Sequence, residues 1–232
     1  MVALTADIDW APELIISEML DIFTTHEIKC TLFCTHSSEV LKNCNRNLFE
    51  IGIHPNFNFL LDGKSGNMDD ILSDLLNIYP EAVGVRSHSL TQNSTILQKF
   101  ADKKLLYESN NFMPYHTNIQ PFTLWTGMMR LTYNWEDDTH WAYNRSFDSL
   151  GVDLTSKGIN ILNFHPMHIF LNTDNQQRYN NAKKFYQDPL ELVNFVNKDK
   201  NGTRDLLIKT LEFIKSNNIK TYKLKDIYDL YI

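Results

Sequence analysis

The sequence predicts an α/β fold in which helices surround a mostly parallel sheet, and three observations support this prediction. Seven or eight short apolar segments typical of strands alternate with segments whose apolar residues recur at helical spacing. The chain has 232 residues, which suits a single α/β barrel of about 250 residues. Hydrophobic residues make up 43% of the chain, enough for one large core. The number and short spacing of the strands favour a closed barrel, and an open doubly wound sheet is the alternative.

The first elements form a β-α-β unit. Residues 2–8 (VALTADI) have a strand pattern, a helix is predicted over 12–26 with Pro12 at its first position, and KCTLFCT over 29–35 is a second strand. The later elements are predicted as helix 37–48, strand 50–55, helix 69–79, strand 82–88, helix 91–103, strand 104–109, a strand-like stretch 123–133, strand 159–165, and a helix, short strand and helix over 203–231. Polar segments 56–68 and 169–187 are predicted to be loops. Because no linker or repeat interrupts this pattern, we expect a single catalytic domain over 1–232.

Composition excludes several functional classes. The chain carries 22 basic and 28 acidic residues for a net charge of −6, which lacks the basic excess that nucleic acid binding requires. No apolar run approaches the roughly 20 residues that span a bilayer, and no leader pattern follows Met1. Cys30, Cys34 and Cys44 are odd in number and sparse, which is typical of a reducing compartment and predicts a cytoplasmic protein. The C-x3-C pair is read as packed strand residues rather than as a metal site.

Ionisable side chains stand where the predicted strands end. They are Asp7 and Asp9 after the first strand, His54 after the third, Arg86 and His88 after the fourth, Glu108 after the fifth, and His165 and His168 after strand 159–165. In a parallel barrel these ends meet at one face, where active sites form. The pattern therefore predicts a catalytic site.

The chemistry of the individual residues supports a metal-dependent site. Asp7 and Asp9 are two apart and would share a face if both were extended, so one could bind a metal and the other act as a base. The alternative is that they only end a strand and begin a helix. His54 is a candidate metal ligand, although a lone histidine there is more often structural. Arg86 and His88 would place a cation and a second imidazole at the same face.

Three further groups are candidates. His165 could donate a proton to a leaving group, whereas His168 is expected in the following loop. Of the acids Glu136, Asp137 and Asp138, at least one could serve the site by pairing with Arg86 or a histidine, and the alternative is a solvated turn. Trp10, Trp125 and Trp141 are predicted to lie in the core or line a pocket, with the core favoured.

These motifs resemble the polysaccharide deacetylase family, the NodB-homology carbohydrate esterases. TADID (5–9) is similar to the family's TFDDG, EIGIHPNFN to its second motif, VRSHS to its arginine motif and ILNFH to its last histidine motif. Three positions depart from the family pattern: Ile8 is inserted between the two aspartates of the first motif, Asn58 stands where a second histidine is expected, and His88 stands where proline is expected. The pattern as a whole resembles the WbmS-like branch, associated with surface polysaccharides.

The resemblance implies a distorted (β/α)7 barrel that removes acetyl groups from glycans with a divalent metal. It implies Asp9, His54 and His88 as metal ligands, His88 replacing the lost histidine, with Asp7 as base and His165 as acid. Arg86, paired with an acid such as Asp137, would orient Asp7. Zinc suits two histidines and one carboxylate best, with iron, cobalt or nickel as alternatives. The implied substrate is an acetylated amino sugar or a surface-polysaccharide precursor.

Two other functions compete with this interpretation. One is a different metal hydrolase on a barrel, such as an amidohydrolase or a phosphoesterase, although two-metal versions need more ligands than this chain offers. The other is a catalytically inactive, glycan-binding relative, which Asn58 favours. The presence of both Asp7 and His165 argues against a pure binding module, which needs neither a base nor an acid.

Overall fold

The computed structural model describes residues 1–232 and contains one curled sheet surrounded by helices. The strands are β1 Val2–Asp7, β2 Cys30–Cys34, β3 Phe49–Ile53, β4 Gly84–Val85, β5 Tyr107–Glu108, β6 Phe122–Thr123, β7 Met129–Arg130, β8 Trp135–Glu136, β9 Asn160–Phe164 and β10 Thr221–Tyr222. The helices are α1 Glu13–His26, α2 Glu39–Asn43, α3 Asn58–Leu61, α4 Met68–Ile78, α5 Ser94–Asp102, α6 Asp137–Ala142, α7 Pro166–Leu171, α8 Gln176–Ala182, α9 Pro189–Leu192, α10 Thr203–Ser216 and α11 Leu224–Tyr231.

The sheet has the strand order β6-β7-β5-β4-β3-β2-β1-β9-β8, and every pair is parallel except the β6–β7 hairpin. Strands β7 and β8 belong to one extended stretch, residues 129–136, which we call the closing segment. It pairs with β5 at its start and with β9 at its end. Between these pairs, Tyr133 donates its N–H to Asn111 and Asn134 donates its N–H to Ile161. Seven strands therefore form the wall of the barrel: β1 to β5, the closing segment and β9. We call these seven strands the staves, and their arrangement confirms the predicted distorted (β/α)7 barrel.

Alternate residues of the staves point to opposite sides, as the two-residue period of a strand requires. On β1, Val2, Leu4 and Ala6 pack in the large core under the helices, whereas Ala3 belongs to a smaller cluster with Phe33, Tyr107, Tyr133 and Ile161. This smaller cluster fills the barrel. Gly84 is required there because a Cβ would lie 2.0 Å from the Tyr107 ring.

Helix α11 closes the amino-terminal end of the barrel. Leu224 and Ile227 pack in the inner cluster. At the start of this helix, the Leu224 N–H donates to Thr31 Oγ1 at 2.9 Å and the Lys225 N–H donates to Glu50 Oε2 at 3.0 Å. With this end plugged, the interior opens at the carboxyl ends of the strands.

Several predicted boundaries differ from the structure. Helix α1 begins one residue after Pro12, which occupies the N-cap. The segments predicted as loops contain α3, the second half of α7, α8 and the 3-10 turn Lys183–Phe185, because packing of their few apolar residues against the core outweighs their polar composition. The stretch 123–133 is interrupted by the turn of the β6–β7 hairpin.

The expectation that the C-x3-C pair consists of packed strand residues was confirmed. All three cysteines are free, and Cys30 and Cys34 are buried in β2 as packed strand residues. None of the helices combines the length and the apolar character that crossing a bilayer requires.

Candidate active site

A cavity of about 360 Å³ opens at the carboxyl ends of the staves, and we call it the reaction chamber. Its walls are Asp7, Asp9, His54, Ser87, His88, Ser89, Leu90, Phe112, Tyr133, Glu136, Asp138, Thr139 and His165. A larger polar cleft of about 970 Å³ lies elsewhere, around residues 145–148, 172–175 and 197–205. None of the His, Cys, Asp and Glu groups that could hold a metal lies in that cleft, so the chemistry points to the smaller chamber.

Asp7 is fixed at the floor of the chamber by one donor on each carboxylate oxygen. Arg86 Nη1 donates to Oδ1 at 2.9 Å, and Asn163 Nδ2 donates to Oδ2 at 3.0 Å. His54 Nε2 lies 4.0 Å from Oδ2. The carboxylate is almost fully buried, yet it faces the chamber, so it is held in one orientation as a base must be.

Arg86 organises the floor from inside the barrel. It is fully buried, with its guanidinium between the rings of Phe33 and Tyr133 at 4.5 and 4.3 Å. Besides Asp7, its donors reach Asn163 Oδ1 at 2.5 Å, Thr5 Oγ1 at 3.0 Å and both oxygens of Ser109. A buried guanidinium needs such partners to be stable. The expected contact between Arg86 and an acid is present, and the acid is Asp7.

Asp9, His54 and His88 form a compact cluster at one side of the chamber. His54 Nε2 lies 3.2 Å and His88 Nδ1 lies 3.1 Å from the same oxygen, Asp9 Oδ1. Burial alone would raise the pKa of Asp9, but hydrogen bonds from His54 and His88 lower it well below its usual value. The shared-face argument assumed that Asp9 continues the first strand, but β1 ends at Asp7. The φ of Asp9 is 44°, and a turn brings its side chain to the chamber.

The donor set fits a divalent metal. Two imidazole nitrogens directed at one carboxylate oxygen repel it unless a proton or a cation lies between them. A tetrahedral zinc site with bonds of about 2.0–2.1 Å separates its ligands by about 3.3 Å, close to the contacts of Asp9 with His54 and His88. Asn58 is occupied elsewhere, since its side chain donates to Ser89 Oγ at 3.0 Å and accepts from Thr91 Oγ1 at 3.3 Å.

Beside this cluster, His165 is paired with Asp137. Its Nδ1 lies 2.7 Å from Asp137 Oδ1, and its backbone N–H donates to Oδ2 at 2.9 Å. Nε2 faces the chamber, 3.8 Å from Asp9 Oδ2. Burial acts to lower the pKa of His165, but the charge of Asp137 and its hydrogen bond raise it well above the usual value. This shift favours the protonated imidazole, the form that can serve as an acid.

Glu136 adds a third carboxyl group to the chamber. Its oxygens accept from Asn163 Nδ2 at 3.1 Å, Tyr133 Oη at 3.2 Å and Thr139 Oγ1 at 3.1 Å. Burial, followed by the charge of Asp138, raises its pKa to about 8. At pH 7 this pKa favours the neutral, protonated form of Glu136.

Some sequence expectations about this site were wrong. Asp137 does not pair with Arg86, because α6 places its carboxylate against His165. His168 lies in α7 and is buried, with its Nδ1 3.2 Å from Thr173 Oγ1. Glu108 pairs with Arg130 outside the chamber.

The tryptophans also differ from the favoured core placement. Trp125 is exposed, and Trp10 is 37% exposed beside His88. Trp141 is half-buried and lines a small pocket beside His165.

Asn163 was missed, although it contacts Asp7, Glu136 and Arg86. A signal was present, because Asn163 stands two residues before His165 in an apolar strand, just as Thr5 stands two before Asp7. Polar residues at a spacing of two on such a strand share the inward face.

The fold is the NodB-type barrel of carbohydrate esterases. The family model for WbmS-like polysaccharide deacetylases matches residues 4–183, and the chain belongs to this family. A crystal structure from Bordetella bronchiseptica is similar over 91% of this chain and 90% of that chain, with a TM-score of 0.85 and 37% identity. That protein, WbmS, is described as a proposed polysaccharide deacetylase involved in O-antigen biosynthesis.

More distant structures share the fold alone. The Xyl-CE4 domain of a xylanase from the hindgut metagenome of Trinervitermes trinervoides has a TM-score of 0.54 at 16% identity, covering 98% of this chain and 89% of that one. A CE4 family pseudoenzyme from Bacillus anthracis has a TM-score of 0.50 at 14% identity, covering 98% of this chain and 65% of that one. No curated protein matches the chain.

Proposed function

We propose that this protein is a metal-dependent hydrolase that removes an acyl group, in the simplest case acetyl, from an amino sugar of a surface polysaccharide or its precursor. The observation that carries the proposal is the meeting of three candidate metal ligands, Asp9, His54 and His88, with the fixed carboxylate of Asp7 and the Asp137-paired imidazole of His165 in one chamber. The 37% identity to a protein described as involved in O-antigen biosynthesis supports the substrate class.

Asp7 would act as the base. Arg86 and Asn163 each occupy one of its oxygens, which leaves the remaining lone pairs for a water molecule in the chamber. As the water oxygen attacks the acyl carbon, Asp7 takes the water proton. The two donors hold the carboxylate in its orientation and stabilise its charge before the reaction.

His165 would act as the acid. When the carbon–nitrogen bond breaks, the amine nitrogen needs a proton, and Nε2 of His165 faces the chamber with one to give. Asp137 on Nδ1 fixes the ring and keeps it protonated, because its charge raises the pKa of His165. Base and acid thus lie in one chamber, with ligand atoms of Asp7 and His165 within 4.8 Å of each other.

The metal would be held by Asp9, His54 and His88. Two imidazoles and one carboxylate suit zinc best, and iron, cobalt and nickel accept the same ligands. Bound there, the metal would polarise the acyl oxygen and stabilise its developing negative charge. The three free cysteines support action in a reducing compartment, for which we propose the cytoplasm.

The proposal is tested by metal analysis and acetate release on the purified protein. We expect one divalent metal per chain and acetate release from a panel of N-acetylated amino sugars and oligosaccharides, with Asp7→Asn as the inactive control. Two metals per chain would favour another metal hydrolase. Bound metal and bound glycan without acetate release would favour an inactive glycan-binding protein.

A further inference from the structure

A second pocket opens directly beside the reaction chamber. It has a volume of about 330 Å³ and is lined by Asp9, Trp10, His88, Tyr179, Lys183 and Tyr186, and we call it the Trp10 pocket. Asp9 and His88 line the chamber as well, so the two cavities meet at the metal-binding cluster. Its volume falls at the lower end of small-molecule sites, which are roughly 300–1,000 Å³.

The backbone that presents Trp10 is strained. Asp9 and Trp10 have φ values of 44° and 58°, a conformation that residues other than glycine rarely adopt. Three hydrogen bonds from distant segments hold it. Tyr186 Oη donates to the Asp9 carbonyl at 2.6 Å, Gln187 Nε2 donates to the Trp10 carbonyl at 2.9 Å, and the Trp10 N–H donates to Thr35 Oγ1 at 2.9 Å. Strain held in this way is typical of functional positions.

The strained backbone directs the Asp9 side chain toward the chamber and leaves the Trp10 ring accessible to solvent. The ring is 37% exposed, and it meets His88 edge-on with 5.1 Å between ring centroids. Tyr179 stands in the same pocket, with Lys183 Nζ 5.8 Å from its ring centroid. Lys183 forms no ion pair. The pocket therefore combines accessible aromatic surface with an unpaired ammonium donor.

This combination matches the chemistry of a pyranose ring. A sugar has an apolar face of C–H groups that packs on aromatic rings, and a rim of hydroxyls that accepts from donors such as Lys183 Nζ. A phosphate fits less well, because the Asp9 carboxylate lines the same pocket. The position beside the metal-binding cluster places such a sugar next to the one in the chamber.

We propose that the Trp10 pocket binds the sugar ring adjacent to the ring whose acyl group is removed. This inference rests on the proposed function, and it adds the residues that would hold the second ring: Trp10, Tyr179 and Lys183.

The test measures binding and reaction separately. The zinc-loaded protein is titrated by calorimetry with N-acetylglucosamine, its β-1,4-linked dimer and trimer, and the uridine diphosphate derivative of the monomer. We expect the dimer and trimer to bind about tenfold more tightly than the monomer, the gain one stacked ring can supply. Trp10→Ala should remove this gain, so that the dimer and trimer bind no more tightly than the monomer.

Two variants control the experiment. Trp125→Ala removes an indole that is 66% exposed and lines neither cavity, so it should keep the full length dependence. Lys183→Met, at an exposed position without ion pairs, should lower the dimer and trimer affinities even if Trp10→Ala fails to fold.

Several results would overturn the pocket assignment. They are equal affinity for monomer and trimer, absence of binding, a length dependence that Trp10→Ala and Lys183→Met leave intact, or tighter binding of the nucleotide sugar than of the trimer. Equal acetate release from monomer and trimer would support the proposed deacetylation but refute sugar binding in the Trp10 pocket. Trp10-dependent trimer binding without acetate release would support sugar binding in the Trp10 pocket but refute the proposed deacetylation.

Discussion

Replacing Arg86 with methionine tests whether the buried guanidinium stabilises the charge of Asp7. Methionine keeps an apolar stem between the rings of Phe33 and Tyr133 but removes every donor. Asp7 then loses the partner on Oδ1 while only 6% of its side chain is exposed. Water can replace little of the lost interaction at that depth.

The expected loss is large for a single substitution. Breaking a buried ion pair by removing one partner costs about 3–5 kcal/mol, because the remaining charge is left unpaired. At about 2–4 °C per kcal/mol for a chain of this size, the melting temperature should fall by about 6–20 °C. Lys42→Met is the control, since it breaks a pair with Glu39 whose two side chains are 39% and 76% exposed. It should cost less than about 1 kcal/mol.

The assay is urea unfolding of the metal-free protein at pH 7, followed by circular dichroism, for Arg86→Met, Asp7→Asn and the double variant. If the unpaired charge causes the loss, the double variant should be more stable than the sum of the single changes predicts, by about 1–3 kcal/mol. Additivity within about 0.5 kcal/mol would refute this reasoning. It would mean that Arg86 acts through packing and its other hydrogen bonds.

Three further predictions concern the chamber. Asp7→Asn should keep bound metal and lower acetate release by about 10²–10⁴-fold, whereas Asp9→Asn should lose the metal; equal metal loss in both would make Asp7 a ligand. Glu136→Gln should flatten the stability curve of the metal-free protein between pH 4.5 and about 8, because folding raises the pKa of Glu136 and so favours its protonated form. In the wild type, the stabilisation that comes from protonated Glu136 is complete below pH 4.5 and is lost as the pH rises through 8. Parallel stability curves for the two proteins would therefore contradict a raised pKa for Glu136. Asp137→Asn should lower the pKa of His165 and shift the alkaline limb of kcat/KM to lower pH, because the charge and hydrogen bond of Asp137 raise that pKa; an unchanged limb would mean that Asp137 does not keep His165 protonated.

Much of the fold followed from local patterns, because β1, β2, β3 and β9 are buried apolar runs of five or six residues between clear helical signals. The closing segment could not be predicted in the same way. Its two paired ends have only two residues each, and their partners on β5 and β9 lie more than twenty residues away in the chain. Pairing at that range depends on the whole sheet and not on local propensity.

The candidate site was also predictable only in part. Asp7, Asp9, His54, His88 and His165 could be predicted as candidates because each stands beside the carboxyl end of a stave, and parallel staves bring these ends together. The partners of the charged groups could not. Asp137 pairs with His165 because α6 starts at that residue, and the sequence alone does not give the direction in which its carboxylate points.

Asn58 and His88 are best understood together. The family motif has a histidine where this chain has Asn58, and its amide contacts Ser89 and Thr91, the residues on either side of Leu90 in the turn that follows His88. Ser89 and Leu90 have φ values of 54° and 53°, so the turn needs outside support to keep its shape. We infer that position 58 exchanged direct metal binding for holding the turn that carries His88. The exchange is consistent with an intact set of two imidazoles and one carboxylate, and it explains how the second motif can be lost without losing the site.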